Sequence, residues 1–500
     1  MILPLILISG VILRLFGLFR PLLGNFATKS VVYAMIAKNF CSEPATFFRP
    51  TLDVLINGQK SLHMTEWPFF SYLTGALHKI TPFLGLDVTG RALNIVLFTL
   101  SGVFVYLLIK DLWSKEEALI ATFFYMFFPL GIVYGQSFQL ESSIALCISS
   151  IFYLINAWVG GRKSILRIFF LWLAISVLLL MKIQMLYLAL PALFLLVTNT
   201  QGRQVMRKPI FYLFCASCLV IPLAWYKYTY IVANGCDNVF FSILYSVEMR
   251  TFPDPRIFTA EFYIKIAYVM IKSVFSPLGA LLVLTGLVVF LREKSRKVGF
   301  VFWYLIATFI YFLLMPRKVY EMDYYYIPLL LPGAIAAAMG VMTISVMWVK
   351  RTVLVLFFIT SIAVAWNPAY KTTENELLFS EVGMYVDSYL PFDAKVIVCS
   401  QGSQLALLYY TNRSGFMIPI SEVVYTEKEE QSRKKLNLLL ETSPERLVDI
   451  YVNQGADYFV CDNEEWLKSN NSDLYEYVIS GKESHRNGDI LIVQLRGRKE

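Results

Sequence analysis

Apolar residues run along this chain in long uninterrupted blocks, not in the alternation of a half-buried strand or the one-sided stripe of a surface helix. The blocks are Ile2 to Phe19, Ala92 to Ile109, Ala118 to Val133, Ser142 to Trp158, Ile168 to Met181, Ile183 to Val197, Pro209 to Tyr226, Val274 to Leu291, Val298 to Met315, Tyr324 to Trp348 and Thr352 to Trp366. They approach the length that crosses a hydrocarbon layer about 30 Å thick, and so predict about 11 transmembrane helices. Within Ile168 to Val197, Lys182 and Gln184 favour a tight hairpin whose tip reaches the interface over one long tilted helix. After Asn367-Pro368 the pattern turns polar. Helical periods at Glu376 to Leu390, Gln404 to Thr411 and Pro444 to Gln454 alternate with β-rich runs at Lys395 to Cys399, Asp457 to Asp462 and Asp489 to Leu495, the signature of a small α/β domain. The sequence therefore predicts an α-helical polytopic membrane protein over residues 1–366, with a C-terminal α/β domain over 367–500.

Composition agrees. The 500 residues are 57% apolar and only 16% charged, which excludes a water-soluble domain, where charged residues make up about a quarter; disorder, coiled coil, collagen and an outer-membrane barrel are excluded as well. The net charge of +8 does not point to nucleic acid, because the basic residues sit in short loops between spans. Lys110 and Lys115, Arg162, Lys163 and Arg167, Arg203, Arg207 and Lys208, Arg292, Lys294, Arg296 and Lys297, Lys350 and Arg351 all fall on one side of the threading. That side is cytoplasmic by the positive-inside rule. The long segments Arg20 to Arg91 and Lys227 to Ser273, the turn around Gln136 to Glu141 and the tail then lie outside a bacterial-type cytoplasmic membrane, with the N-terminus inside. The opening Met1-Ile-Leu-Pro carries no basic leader and no small-residue cleavage site, so the first span reads as a retained anchor.

Seven scattered cysteines give no disulfide framework. His63, His78 and His485 are too far apart for the usual zinc ligands, so any divalent metal has to be held by oxygen. No cofactor is predicted. In the tail, Ser400-Gln-Gly-Ser403 follows a strand and precedes a helix; a plain turn is the stronger reading, anion binding the weaker.

The first outer segment is too long for a connector. Two amphipathic stretches in it, Val31 to Phe40 and Phe69 to Ile80, are predicted to lie flat at the interface with their aromatic faces in lipid and to roof a cavity. The segment supplies Lys29, Arg49, Asp53, His63 and Glu66; opposite come Gln136, Gln139 and Glu141 at the mouth of the fourth span. A cation beside a phosphate stabilises charge on a leaving group, and a carboxylate near a hydroxyl serves as general base. Sugar transfer from a lipid phosphate uses this pair. Each residue also has a plainer role: Glu66 as an acidic helix start before Trp67-Pro68, Glu141 as an interfacial helix start, Lys182 snorkelling to headgroups.

At these residues the chain resembles the GT-C superfamily of polyprenyl-phosphate-sugar-dependent glycosyltransferases, in its aminoarabinose-transferase and protein O-mannosyltransferase branch. The resemblance rests on Arg14, Thr28-Lys-Ser30, Tyr33-Ala-Met-Ile-Ala-Lys-Asn-Phe40, Arg49-Pro-Thr-Leu-Asp53, Thr65-Glu-Trp-Pro68, Gly90-Arg91, Tyr134-Gly-Gln-Ser-Phe-Gln-Leu-Glu141, Met181-Lys182 and Asp323-Tyr-Tyr-Tyr-Ile-Pro328, in that order. It implies eleven to thirteen helices, a catalytic acidic residue in the first outer loop and an inverting sugar transfer at the outer leaflet. One departure stands out: many members carry an Asp or Asp-Glu pair just after the first span, where this chain has Ala27, Thr28, Lys29 and Ser30.

Glu66, or Asp53, is then the expected base, with Glu141 sharing that role or positioning the acceptor. Lys29, Arg49 and Lys182 are expected to meet the donor phosphate, and Gln139, Tyr324 and Tyr325 to position substrates. The partners implied are a polyprenyl-phosphate-linked sugar, a glycan, lipid or protein acceptor, and membrane lipid. A lipid or polysaccharide transporter also fits many helices with membrane-embedded charges, but transporters show paired halves with matching broken helices, and here the long outer loops cluster early. An inactive scaffold is the third reading.

Overall fold

The computed structural model describes residues 2–22, 27–242, 254–292, 296–372, 374–418 and 443–496; parts of the segment 227–273 and of the tail lie outside them. The chain forms two compact units, one of Met1–Phe19, Val88–Tyr228 and Met249–Lys371, the other of Arg20–Asp87, Thr229–Glu248 and Thr372–Glu500.

Each predicted span is helical. Among the described residues six helices are individually long and apolar enough to cross a membrane: Leu86–Leu112, Glu141–Val159, Pro209–Gly235, Lys297–Leu314, Asp323–Met342 and Met347–Tyr370. Two bent pairs raise the number to eight, Ile183–Val197 with Thr200–Met206 at 116° and Ala260–Val274 with Pro277–Arg292 at 112°; Ile2–Leu15 and Ile165–Met181 are shorter apolar helices. The span Ala118 to Val133 is broken where Pro129, which has no N–H to continue the ladder, opens a new helix Pro129–Tyr134 after Lys115–Phe127.

Burial separates the helices. The apolar window of Asp323–Met342 is 89% buried, whereas that of Pro209–Gly235 is 17% buried, leaving Leu213, Val220 and Ile231 exposed along its length. Water does not tolerate so long an apolar face; hydrocarbon does. The chain is a multi-pass membrane protein. At the start of the bundle Arg14 is fully buried, and its guanidinium donates to the carbonyls of Gly10 (2.8 Å), Met126 (2.9 Å) and Gly131 (2.8 Å). It thus satisfies backbone acceptors at the break that Pro129 creates, while lying 4.4 Å from the Phe98 ring centroid.

The second unit is built on an eight-stranded sheet of β1 (Thr51–Ile56), β2 (Gln59–Met64), β3 (Val239–Ser242), β4 (Val396–Cys399), β5 (Gly415–Met417), β6 (Tyr458–Cys461), β7 (Ser484–Asn487) and β8 (Ile490–Gln494), in the order β3-β2-β1-β5-β4-β6-β8-β7. Asn57-Gly58, both at positive φ, closes the β1–β2 hairpin, as a two-residue turn of that sequence favours. β1 runs parallel to β5, with Val54 opposite Gly415. The segment 20–87 and the tail therefore share one sheet, although the sequence pattern divides the chain at 366/367.

They also share a core, and here the interfacial reading of Val31 to Phe40 fails. Helix Ala27–Ser42 buries Val31, Val32, Met35 and Ile36 in one cluster with Val382, Val386, Leu405 and Leu408 of the tail. The apolar face is covered by protein, not lipid. Helix Phe69–Ile80 buries Phe70 and Tyr72, and a Cβ at Gly75 would lie 2.8 Å from the Ala37 carbonyl oxygen, so glycine is what lets the two helices approach this closely.

Candidate functional site

The expected site residues fall into two groups, one in each unit. In the sheet-bearing unit, Lys29 and Tyr33 sit one turn apart on helix Ala27–Ser42, and Glu66 lies in the stretch between β2 and helix Phe69–Ile80. The buried Tyr33 donates its phenolic hydrogen to Glu66 Oε1 at 2.6 Å, and Lys29 Nζ stands 5.9 Å from the Tyr33 ring centroid. Ser71, on the following helix, donates to the Tyr33 carbonyl at 2.8 Å and fixes that backbone. Glu66 is therefore no helix cap: the N-cap of Phe69–Ile80 is Pro68, and no side chain caps it. The sequence motif assigns Tyr33 no role; its position four residues after Lys29 is the signal that places both on one helical face.

Asp53 is in a different situation. It is 2% exposed in β1 and forms ion pairs with Lys38 at 2.5 Å and Lys60 at 3.4 Å. Lys60 also donates to Asn39 Oδ1 at 2.7 Å, and Asn39 donates to the Thr51 carbonyl at 3.0 Å. The Asp53 carboxylate is committed to two ammonium groups and so serves as a cross-link, and of the two candidate bases the geometry favours Glu66. Arg49 is exposed, in the turn after Pro44–Phe47. His63 is buried, with Nε2 2.7 Å from Thr65 Oγ1. Burial pushes its imidazole below the usual value, against the opposing pull of the Glu66 charge.

In the helical unit the connector from Gly135 to Leu140 is held by helix Leu86–Leu112. Arg91 donates to the Gln136 carbonyl at 3.2 Å, and Asn94 donates to the carbonyls of Tyr134 (2.9 Å) and Ser137 (2.5 Å). Gln139 and Glu141 are buried, Glu141 as the first residue of Glu141–Val159. The buried Tyr134 donates to Asp323 Oδ1, a pairing with no direct sign in the sequence beyond the Asp323-Tyr-Tyr-Tyr run. Lys182 ends helix Ile165–Met181 in extended conformation. It is 6% exposed, with Nζ 4.5 Å from the Tyr325 centroid and 5.1 Å from that of Tyr324. Snorkelling to headgroups is thereby replaced by cation–π contact, and Tyr324 and Tyr325 act first as the platform for this lysine.

Among the described residues no group of three or more His, Cys, Asp or Glu side chains gathers to hold a metal. In the tail, the Ser400–Ser403 turn is occupied from within: Asp462 accepts from Ser400 Oγ at 2.7 Å and from the Gln401 amide at 3.2 Å, and Ser403 caps helix Gln404–Tyr410. An internal carboxylate takes the place an external anion would have filled.

Residues 65–226 match the family described as dolichyl-phosphate-mannose-protein mannosyltransferase, a stretch that opens on Thr65-Glu66 and runs past Glu141 and Lys182. No curated protein matches the chain at a significant level. Among solved structures, ArnT from Cupriavidus metallidurans bound to undecaprenyl phosphate is similar at 13% identity and a TM-score of 0.65, over 98% of this chain and 97% of that one. The same protein in the apo state gives 14% identity and a TM-score of 0.61 with the same coverage. The oligosaccharyltransferase AglB from Archaeoglobus fulgidus, in complex with an inhibitory peptide and a dolichol-phosphate, gives 13% identity and a TM-score of 0.50 over 98% of this chain and 74% of that one. The resemblance to polyprenyl-phosphate-sugar glycosyltransferases read along Ile2 to Trp366 is met by a family match over residues 65–226 and by a fold shared with ArnT along nearly the whole chain.

Proposed function

We propose that this protein is a membrane glycosyltransferase that moves a sugar from a polyprenyl phosphate to an acceptor hydroxyl at the extracytoplasmic face, with inversion at the anomeric carbon. The observation that carries the assignment of the base is the Tyr33–Glu66 hydrogen bond beside Lys29. A carboxylate oriented by a phenol, with a cation on the same helix, supplies both halves of a direct displacement. The acceptor oxygen attacks the anomeric carbon as its proton passes to Glu66. The bond from that carbon to the phosphate oxygen breaks, and the phosphate leaves with its electron pair and the charge that Lys29 stabilises. A single displacement inverts configuration. Lys182 and Arg49 are assigned to donor phosphate on the same chemistry, Glu141 and Gln139 to acceptor placement, and Tyr324 and Tyr325 to orienting Lys182.

About eleven membrane crossings, a cytoplasmic N-terminus and a sheet-bearing unit outside the cell membrane complete the reading. The loop cations support that orientation, as does the family resemblance. ArnT and AglB were solved with undecaprenyl phosphate and dolichol-phosphate, which supports a lipid-phosphate donor here. The decisive measurement incubates purified protein with a labelled polyprenyl-phosphate sugar and an extract of envelope acceptors. Transfer that drops about 10² to 10⁴-fold in Glu66→Gln, with an unchanged melting curve, supports the assignment. Full transfer by that variant overturns it.

A further inference from the structure

The sheet-bearing unit carries a cleft that the transfer reaction does not use. It has a volume of about 540 Å³ and lies at the β7–β8 edge of the sheet, lined among others by Tyr389, Tyr458, Glu483, His485 and Gln494. This volume falls in the range of small-ligand sites, about 300 to 1,000 Å³. One wall is a prepared aromatic surface. Tyr385 and Tyr389, one turn apart on helix Glu374–Tyr389, are parallel within 11°, and the His485 ring lies 4.5 Å from Tyr389 at 14°. The imidazole is locked in that plane by a hydrogen bond between His485 Nε2 and Tyr385 Oη. Tyr389 remains 47% exposed, so part of a rigidly held ring is open to solvent.

The lining chemistry narrows the ligand. Glu483 and Gln494 are held together at the strand ends by the bond from the Gln494 amide N–H to the Glu483 carbonyl, at 2.9 Å. Gln494 Nε2 is committed to the Arg496 carbonyl at 2.8 Å, which leaves its Oε1, like the Glu483 carboxylate, as an acceptor. Among the described residues the lining includes no lysine or arginine, so a phosphate or carboxylate ligand would meet no compensating charge from them. A flat ring beside several acceptors matches a molecule with one C–H face and many O–H donors. We propose that this cleft is a carbohydrate-binding site, taking a neutral pyranose of a glycan against Tyr389 and His485, with hydroxyls donated to Glu483 and Gln494. The assignment goes beyond the transfer reaction and does not depend on Glu66.

The test is saturation-transfer difference NMR on the full chain in lipid nanodiscs, since sugar-headed detergents would compete. The probes are the methyl glycosides of glucose, galactose, mannose and N-acetylglucosamine and a tetrasaccharide of each, with indole as a non-sugar aromatic control. The expected result is saturation concentrated on the C–H protons of one sugar face. The dissociation constant rises at least tenfold in Tyr389→Ala, is kept in Tyr389→Trp and is unchanged in Glu66→Gln. Absence of saturation in all the sugars overturns the proposal, as does equal binding by Tyr389→Ala or displacement of the sugars by indole at matched concentration. Loss of transfer in Glu66→Gln with sugar binding intact separates the two assignments.

Discussion

Asp53→Asn distinguishes a cross-link from a base. The native carboxylate is 2% exposed and meets Lys38 at 2.5 Å and Lys60 at 3.4 Å, lysines that are themselves 25% and 33% exposed. Removing one partner of a fully buried ion pair costs about 3 to 5 kcal/mol, and an exposed pair is worth about 0.2 to 1 kcal/mol. Both ammonium groups can turn partly toward water once the carboxylate is gone, so a loss of about 2 kcal/mol lies between these limits. For a unit of this size that is a fall in melting temperature of about 4 to 8 °C. The free, fully buried Cys399 and Cys461 lie in the same unit, so a thiol-reactive dye reports its opening directly. Transfer assayed well below the transition should fall less than about tenfold, and a cycle with Lys38→Met should show coupling of about 0.5 to 3 kcal/mol. An unchanged melting curve combined with a 10² to 10⁴-fold loss of transfer would refute this account and make Asp53 the base.

Other perturbations have equally definite expectations. Because burial holds the His63 imidazole below its ordinary value, the unfolded chain takes up a proton that the folded one refuses. Stability is then full above about pH 6.5 and is lost as pH falls through that value; melting curves between about pH 7.5 and 5.5 should slope, and His63→Gln should flatten them. Lys182→Met removes the cation held over Tyr324 and Tyr325 and should lower transfer about 10² to 10³-fold, with Lys182→Arg recovering part of it; a methionine variant with native turnover would remove Lys182 from the donor site. Gly75→Val drives a side chain into the Ala37 carbonyl and should destabilise the sheet-bearing unit by about 1 to 3 kcal/mol, read as an earlier thiol-dye transition.

The membrane half of this chain was legible because its solvent is uniform: a block of about twenty apolar residues has few alternatives to a crossing helix. Even the breaks had local causes, Pro129 in one span and Lys182 in another. What misled was the apolar face of Val31 to Ile36. An amphipathic helix shows that something must cover it, not what, and here Val382, Val386 and Leu408 cover it from more than 340 residues away. The same blindness hid β1 and β5 as partners, since a parallel pairing between residues 54 and 415 leaves no local trace. β4, β6 and β8 were read because they alternate with helices; β7, with Ser-His-Arg-Asn, has no apolar period to read. At the site, the residue types were visible, but Tyr33 on Glu66, Tyr134 on Asp323 and the aromatic seat of Lys182 depend on tertiary contact.

This shared sheet changes what the tail can be. The candidate base is carried by a loop whose hairpin continues the tail's sheet and whose helix fills the tail's core. A two-stranded hairpin is marginal alone, and Val31, Val32, Met35, Ile36, Leu52 and Val54 each draw on the order of 1.5 to 3 kcal/mol from burial. Without the tail the contacts to Val382, Val386, Leu405 and Leu408 are lost, and only loop side chains such as Tyr72, Phe40, Phe47 and Trp67 remain to cover this face. A chain ended after Lys371 should therefore insert into membranes with its helices intact and yet catalyse no transfer, and limited proteolysis should cut between residues 20 and 87 where the full chain resists. Supplying residues 372–500 as a separate polypeptide should restore protection in proportion to transfer, because the missing contacts are side-chain packing and one strand pairing, not covalent continuity. If the shortened chain kept both its protease resistance and its turnover, the tail would be an appendage, and the packing seen around Val31 to Ile36 would not be what shapes the site.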